Sequence, residues 1–204
     1  GLPENGFVFC CFNNTYKFTP QTFDSWARIL KSVKGSVFII YTNNKLSKTN
    51  LSKEILKRGI ELDRLVFADS VSRPEYLARY RVADLFLDTQ PYNAGTTASD
   101  ALRMGLPVLT CLGRSFVSRV AGSLLSALNL PELITKTPEE YESLAIELAT
   151  NPGKLKAIKD KLANNLSTAP LYDTKLFTKN LESAYTQMYE RHHKGLKPDH
   201  IYVE

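Results

Sequence analysis

The chain has 204 residues, 43% of them hydrophobic and 23% charged, the size and mix of one ordinary globular domain or at most two small ones. Disorder, collagen and a coiled rod are excluded. Lys and Arg number 26 against 21 Asp and Glu, a formal charge of +5, spread along the chain without the uninterrupted basic run that marks a nucleic-acid arm, so no nucleic acid is expected as a partner while phosphate binding stays open.

No apolar stretch approaches the roughly 20 residues of a membrane span, and the opening GLPENG lacks the charged and apolar regions of a secretion signal; no membrane partner is expected. The chain opens without methionine on a loop-like Gly-Leu-Pro, as an excised piece of a longer protein would. Three cysteines, Cys10, Cys11 and Cys111, make neither a disulfide framework nor a metal-ligand spacing and read as small core residues in a reducing compartment, the cytoplasm.

Phe7 to Phe12 is a β-rich apolar run. Thr19-Pro20 then opens a helix whose Phe23, Trp26, Ala27, Leu30 and Val33 recur at the spacing of one buried face. Ser36 to Tyr41 predicts a strand, Lys48 to Arg58 an amphipathic helix, and Arg64 to Phe67 a short strand. Ser72-Arg-Pro-Glu75, a capping serine three residues before a glutamate, starts a helix from Arg73 to Arg81. Asp84 to Asp88 predicts a strand, Gly95 to Thr97 leads into a short helix ending at Gly105, Pro107 to Cys111 predicts a strand, and Val117 to Leu128 a helix.

The remainder reads as helical, with a capping box at Thr137 to Glu140, a break at Asn151-Pro152-Gly153, and a final helix striped by Phe177, Leu181, Tyr185 and Met188. Nearly continuous apolar strands alternating with helices require a parallel sheet covered on both faces. The expected fold is α/β, a Rossmann-like doubly wound parallel sheet, with residues 1–170 as the main lobe and 171–204 as a C-terminal helix and tail.

In such a sheet the ligand crevice lies beyond the carboxyl ends of the strands, which singles out three loops. The first, Phe12 to Lys17, offers Lys17 as a point charge for a phosphate and Asn14 as an amide donor, or else is a solvated turn. The second, Asp88 to Thr97, delivers Gly95, Thr96 and Thr97 to a helix start, where unpaired amides and the dipole attract anions; the plainer reading makes a threonine the N-cap and Gly95 a turn residue. Asp100 in the first turn must face away from a phosphate to be useful, as an acceptor for two ribose hydroxyls or as an ordinary first-turn carboxylate. The third loop leads to Arg73, Tyr76 and Arg79, spaced by three along one helix edge, which can bond or stack on a base or remain solvated. Neither standard nucleotide fingerprint occurs. His192, His193 and His200 sit in a polar end without an acid–base partner and read as exposed.

The order and spacing of these loops resemble the C-terminal, nucleotide-sugar-binding lobe of O-linked N-acetylglucosamine transferases, the TPR-bearing enzymes that modify Ser and Thr of intracellular proteins. The likeness is carried by LPENGFVFCCFNNTYKFTP with DSWARILKSV, by ADLFLDTQPYNAGTTASDALRMGLPVLT, by GRSFVSRVAGSLL and by LESAYTQMYERHHKGLKPDH. It implies one lobe of a two-lobed GT-B glycosyltransferase, inverting and metal-independent, with no cofactor and with UDP-GlcNAc as donor. Protein Ser and Thr would be presented through an N-terminal lobe and TPR repeats outside this chain, towards which residues 171–204 would pack. Matched position by position, Lys17 would be the catalytic charge and, with Asn14, would face the donor phosphates. Thr96 and Thr97 would bind the same group, Asp100 would hold the ribose, and the Val71 backbone, Arg73, Tyr76 and Arg79 would surround the base or sugar edge.

Where the best-known animal enzymes carry Gln, Lys and His, this chain has Asn14, Arg73 and Tyr76, which keep hydrogen bonding or stacking available. Gly95 replaces a histidine, and the resulting P-Y-x-A-G-T-T resembles the SPINDLY branch, whose members transfer fucose from GDP-fucose. Asp100, shared with the N-acetylglucosamine enzymes, points to UDP. A non-catalytic nucleotide-binding or scaffold domain is the remaining alternative.

Overall fold

The structure is a computed structural model and describes Leu2 and residues 5–203. Six parallel strands, β1 (Val8–Cys11), β2 (Val37–Tyr41), β3 (Leu65–Ala68), β4 (Leu85–Leu87), β5 (Val108–Cys111) and β6 (Ile134–Thr135), lie in the order β3-β2-β1-β4-β5-β6. That is the doubly wound Rossmann-like order, and its switch point falls between β1 and β4, which pair directly through Phe9 with Leu85 and Cys10 with Phe86. Every residue of β1, β4 and β5 is buried, as a parallel sheet clad on both faces requires. All three cysteines are free thiols in these strands.

Eight helices surround the sheet: α1 (Pro20–Ser32), α2 (Lys45–Lys57), α3 (Arg73–Arg79), α4 (Thr96–Arg103), α5 (Val120–Ala127), α6 (Pro138–Thr150), α7 (Pro152–Leu166) and α8 (Thr174–His193). Thr19 caps α1 by accepting from the Thr22 amide at 3.1 Å, with proline in the first turn as the sequence predicts. Thr137 caps α6 in the same way, accepting from Glu140, and Asn151 both ends α6 and caps α7.

Three boundaries move for local reasons. Helix α2 starts at Lys45 rather than Lys48 because Asn44 accepts from the amides of Leu46 and Ser47. Helix α3 stops at Arg79, and the chain tightens into a 3-10 turn over Tyr80–Val82. A similar turn at Phe116–Ser118 delays α5 to Val120. The two-residue edge strand β6 has too short a pattern to be predicted. The stripe Phe177, Leu181, Tyr185 and Met188 of α8 is exposed along its length.

Helices α1 and α6 pack together. Between them and the sheet lies Trp26, fully buried and edge-on to Phe18 at 5.0 Å and to Phe38 at 4.7 Å. Its indole N–H donates to the Tyr141 hydroxyl at 3.1 Å, and that hydroxyl donates to the Asp88 carbonyl at 3.0 Å, so α6 is tied to the carboxyl end of β4. Tyr141→Phe leaves the indole N–H without an acceptor and the Asp88 carbonyl without its donor. A loss of about 1–3 kcal/mol of stability is expected, measured by urea unfolding of the wild-type and variant proteins; unchanged stability would count against the tie.

Candidate functional site

Because β1 and β4 are neighbours, the loops that leave their carboxyl ends meet above the switch point. After β1 the chain makes a 3-10 turn over Thr15–Lys17, closed by the Lys17 amide donating to the Asn14 carbonyl at 3.0 Å. That turn sends the Lys17 side chain across to the other loop, where Nζ donates to the Asn93 carbonyl at 2.9 Å and lies 4.0 Å from the centre of the Tyr92 ring. Carbonyl and ring face hold one ammonium in a fixed position.

The loop after β4 is shaped from within. Asp88 is fully buried; one carboxylate oxygen accepts from the amides of Thr89 at 2.7 Å and Ala94 at 2.6 Å, and the other accepts from the Thr110 hydroxyl at 2.6 Å. Thr89 donates its hydroxyl to the Tyr92 carbonyl, while Asn93 donates its side-chain N–H to the Thr89 carbonyl and its amide to Val117. Helix α4 then begins at Thr96 behind Gly95, which offers no side-chain cap. Neither threonine is the N-cap, so the first-turn amides lack the capping oxygen that closes α1 and α6. The Thr97 hydroxyl donates instead to the side-chain oxygen of Asn13, whose own amide donates to Thr89 at 2.8 Å.

These pieces enclose a cavity of about 440 Å³ whose lining includes Asn14, Lys17, Gly95, Thr96 and Thr97. Tyr16, Tyr92 and Phe116 also line it and are 71%, 41% and 77% exposed, so three rings stand at the mouth of a polar recess. A Cβ added to Gly95 would meet only Val120 Cγ1, at 3.8 Å, an ordinary contact; the glycine enlarges the recess without being demanded by the backbone.

The other five candidates do not line that cavity. Arg73 donates bidentately to Asp100 at 2.8 and 2.7 Å, joining α3 to α4, and lies 5.1 Å from the Tyr76 ring. Asp100 does face away from the anion cavity, but onto Arg73. The Tyr76 hydroxyl meets that of Tyr80, which donates to the Thr97 carbonyl at 3.1 Å. Burial raises the Tyr76 phenol to about 12, partly offset by its bond to Tyr80, and raises the Tyr80 phenol further. Arg79 donates to the Asp69 carbonyl, bracing the loop before α3, and Val71 is exposed in that loop. His192, His193 and His200 are exposed at the end of α8 and in the tail. Among the described residues no three His, Cys, Asp or Glu side chains gather as metal ligands.

A second cavity of about 640 Å³ lies on the side of Gln90 and Pro91, lined in part by Thr22, Arg28, Ser115 and Glu139. Its Arg28 is neutralised by a bidentate pair with Glu142, and the helix start at Thr22 is capped. The fixed cation and the uncapped amides belong to the smaller cavity, which is the better anion site.

Asn13, Tyr80, Asp88 and Tyr92 escaped the reading of the sequence. The signal for Asp88 is its place: a carboxylate closing an otherwise apolar run, DLFLD, just before the loop. Its burial raises the carboxyl to about 6, against the bonds from Thr110, Ala94 and Thr89 and the charge of Lys17. A folded pKa above the ordinary 3.8 means that the native state binds this proton more tightly than the unfolded chain. The Asp88 contribution to stability is therefore full below about pH 4 and is lost as pH rises towards 6, by about 3 kcal/mol in all. Denaturant titrations across that window should show this slope in the wild type and not in Asp88→Asn.

Glycosyl transferase family 41, as a sequence family, matches residues 1–181. The chain is 36% identical over 204 residues, all of its length, to the probable UDP-N-acetylglucosamine–peptide N-acetylglucosaminyltransferase SEC of Arabidopsis thaliana, of which it covers 21%. It is 33% identical over 202 residues, 96% of its length, to the similarly titled SPINDLY protein of Hordeum vulgare, of which it also covers 21%. A mutant O-GlcNAc transferase from Thermobaculum terrenum superimposes with a TM-score of 0.85 at 33% identity, over 90% of this chain and 36% of that one. The chain thus spans about a fifth of the length of these curated relatives.

Proposed function

The chain belongs to glycosyl transferase family 41, and on that premise we propose that it is the donor-binding lobe of a GT-B protein O-GlcNAc transferase, moving N-acetylglucosamine from UDP-GlcNAc to Ser and Thr of intracellular proteins. The observation that carries this reading is the meeting of Lys17 with the start of α4 in one cavity, two elements of opposite loops converging where a diphosphate needs them.

As the acceptor hydroxyl attacks the anomeric carbon, the bond from that carbon to the diphosphate oxygen breaks. The electron pair leaves with UDP, and the hydroxyl proton passes to a base on the lobe outside this chain. Attack opposite the leaving group inverts the anomeric centre. The charge that grows on the diphosphate meets the Lys17 ammonium, already held by Asn93 and Tyr92, and the amides of Thr96 and Thr97. In this reading these groups take the part of a metal. Asn14 lies beside the phosphates, and Arg73, Tyr76, Arg79 and the Val71 backbone form the nucleotide side, with Asp100 shared between Arg73 and the ribose.

The exposed stripe of α8, together with residues 171–204, forms the side that faces the N-terminal lobe, beyond which TPR repeats would bring acceptors. The buried free thiols suit a reducing compartment such as the cytoplasm.

Gly95 favours a second reading of the donor, as GDP-fucose in the manner of the SPINDLY branch, because it leaves room beside the threonines where a histidine would stand. Calorimetric titration of the full-length protein with UDP and GDP separates the two: tighter binding of UDP is expected, tighter binding of GDP reverses the donor assignment, and no binding of either favours a scaffold.

Lys17→Ala in the full-length enzyme is expected to lower turnover roughly a hundredfold, on the order of 3 kcal/mol at the transition state, with an unchanged circular dichroism spectrum. Near-normal turnover would refute the role.

A further inference from the structure

We infer that Asp88 is the positioning residue of this site: its buried carboxylate fastens the segment that receives Lys17 and delivers α4, so that cation and helix amides meet at one point. The inference rests on the donor-site reading above and assigns a part to a side chain outside the cavity lining.

The geometry is specific. Asn93, whose carbonyl accepts from Lys17, is held on both sides, because Thr89 and Ala94 donate their amides to the same Asp88 oxygen. Gly95 and the first turn of α4 follow immediately. The second oxygen takes the Thr110 hydroxyl from β5, and the side-chain amide of Asn13, leaving β1, approaches the first oxygen at 3.4 Å. One carboxylate therefore joins three neighbouring strand ends. Asn13 extends the tie to the Thr97 hydroxyl on α4 itself.

An apolar side chain at position 88 would avoid the cost of burying a charge. It would also leave two loop amides and a hydroxyl unpaired. The titratable groups that face Asp88 are Lys17 from the first loop, Cys11 on β1, Cys111 on β5 and Tyr141 on α6. The thiols and the phenol are raised by burial and stay neutral, which leaves Lys17 as the charge nearby.

Asparagine keeps the geometry and removes the charge. Its oxygen can accept both amides, and its N–H can donate to Thr110, whose hydroxyl then turns to accept. Alanine removes the geometry as well.

The test is UDP titration of full-length wild-type, Asp88→Asn and Asp88→Ala proteins, with circular dichroism to monitor folding. Asp88→Asn should bind UDP within about threefold of wild type or more tightly, since a buried negative charge near Lys17 is gone, whereas Asp88→Ala should bind at least about tenfold more weakly. Thr110→Val, which removes one donor and leaves the carboxylate, is the milder arm should Asp88→Ala not fold, and about threefold weaker binding with an unchanged spectrum is expected. Wild-type affinity in folded Asp88→Ala or in Thr110→Val, or a tenfold loss in Asp88→Asn, overturns the positioning role. Failure of the donor-site reading is visible separately, as wild-type protein that takes up no UDP, and overturns this inference with it.

Discussion

The bond from the Lys17 ammonium to the Asn93 carbonyl joins residues 76 apart in the chain and is the point on which the rest of the site turns. It exists because β1 and β4 are adjacent in space although two strands intervene in sequence. A lysine on the first loop is otherwise a flexible, solvated cation. Here the carbonyl and the Tyr92 ring fix it before any ligand arrives, so less reorganisation is needed when negative charge develops nearby. The start of α4 opens on the same recess, and its amides, uncapped by Gly95, add a second source of positive potential.

Around that point the protein spends buried polar groups sparingly and pairs them. Asn13, Asp88, Thr89 and Thr110 form one network under the loop, and Tyr141 and Trp26 extend it into the core between α1 and α6. A second link, through Arg73 with Asp100 and Tyr80 with the Thr97 carbonyl, sets α3 against α4. The nucleotide side is thus assembled from ion pair and phenols before it meets a base or ribose. In this state both oxygens of Asp100 accept from Arg73, so a ribose must share that carboxylate with the guanidinium or displace it.

The fold was legible because its signals are local and repeated: apolar runs for buried strands, the Thr19-Pro20 cap, and turns between. Boundaries shifted where a single side chain decided them, as Asn44 does for α2. Lys17, Gly95, Thr96 and Thr97 could be picked out because loop position and residue type already imply an anion site. Asp88, Tyr80 and Asn13 could not, because their importance lies in partners up to 76 residues away that only the assembled sheet brings near. The α8 stripe has helical spacing, yet spacing alone does not say whether its cover lies within this lobe or beyond it.

The most direct measurement is a structure of the full-length protein with UDP, resolved well enough to place both phosphates. The account predicts a phosphate oxygen within hydrogen-bond distance of Lys17 Nζ and of the Thr96 or Thr97 amide. A diphosphate bound away from both, for instance in the larger cavity beside Pro91, would contradict it.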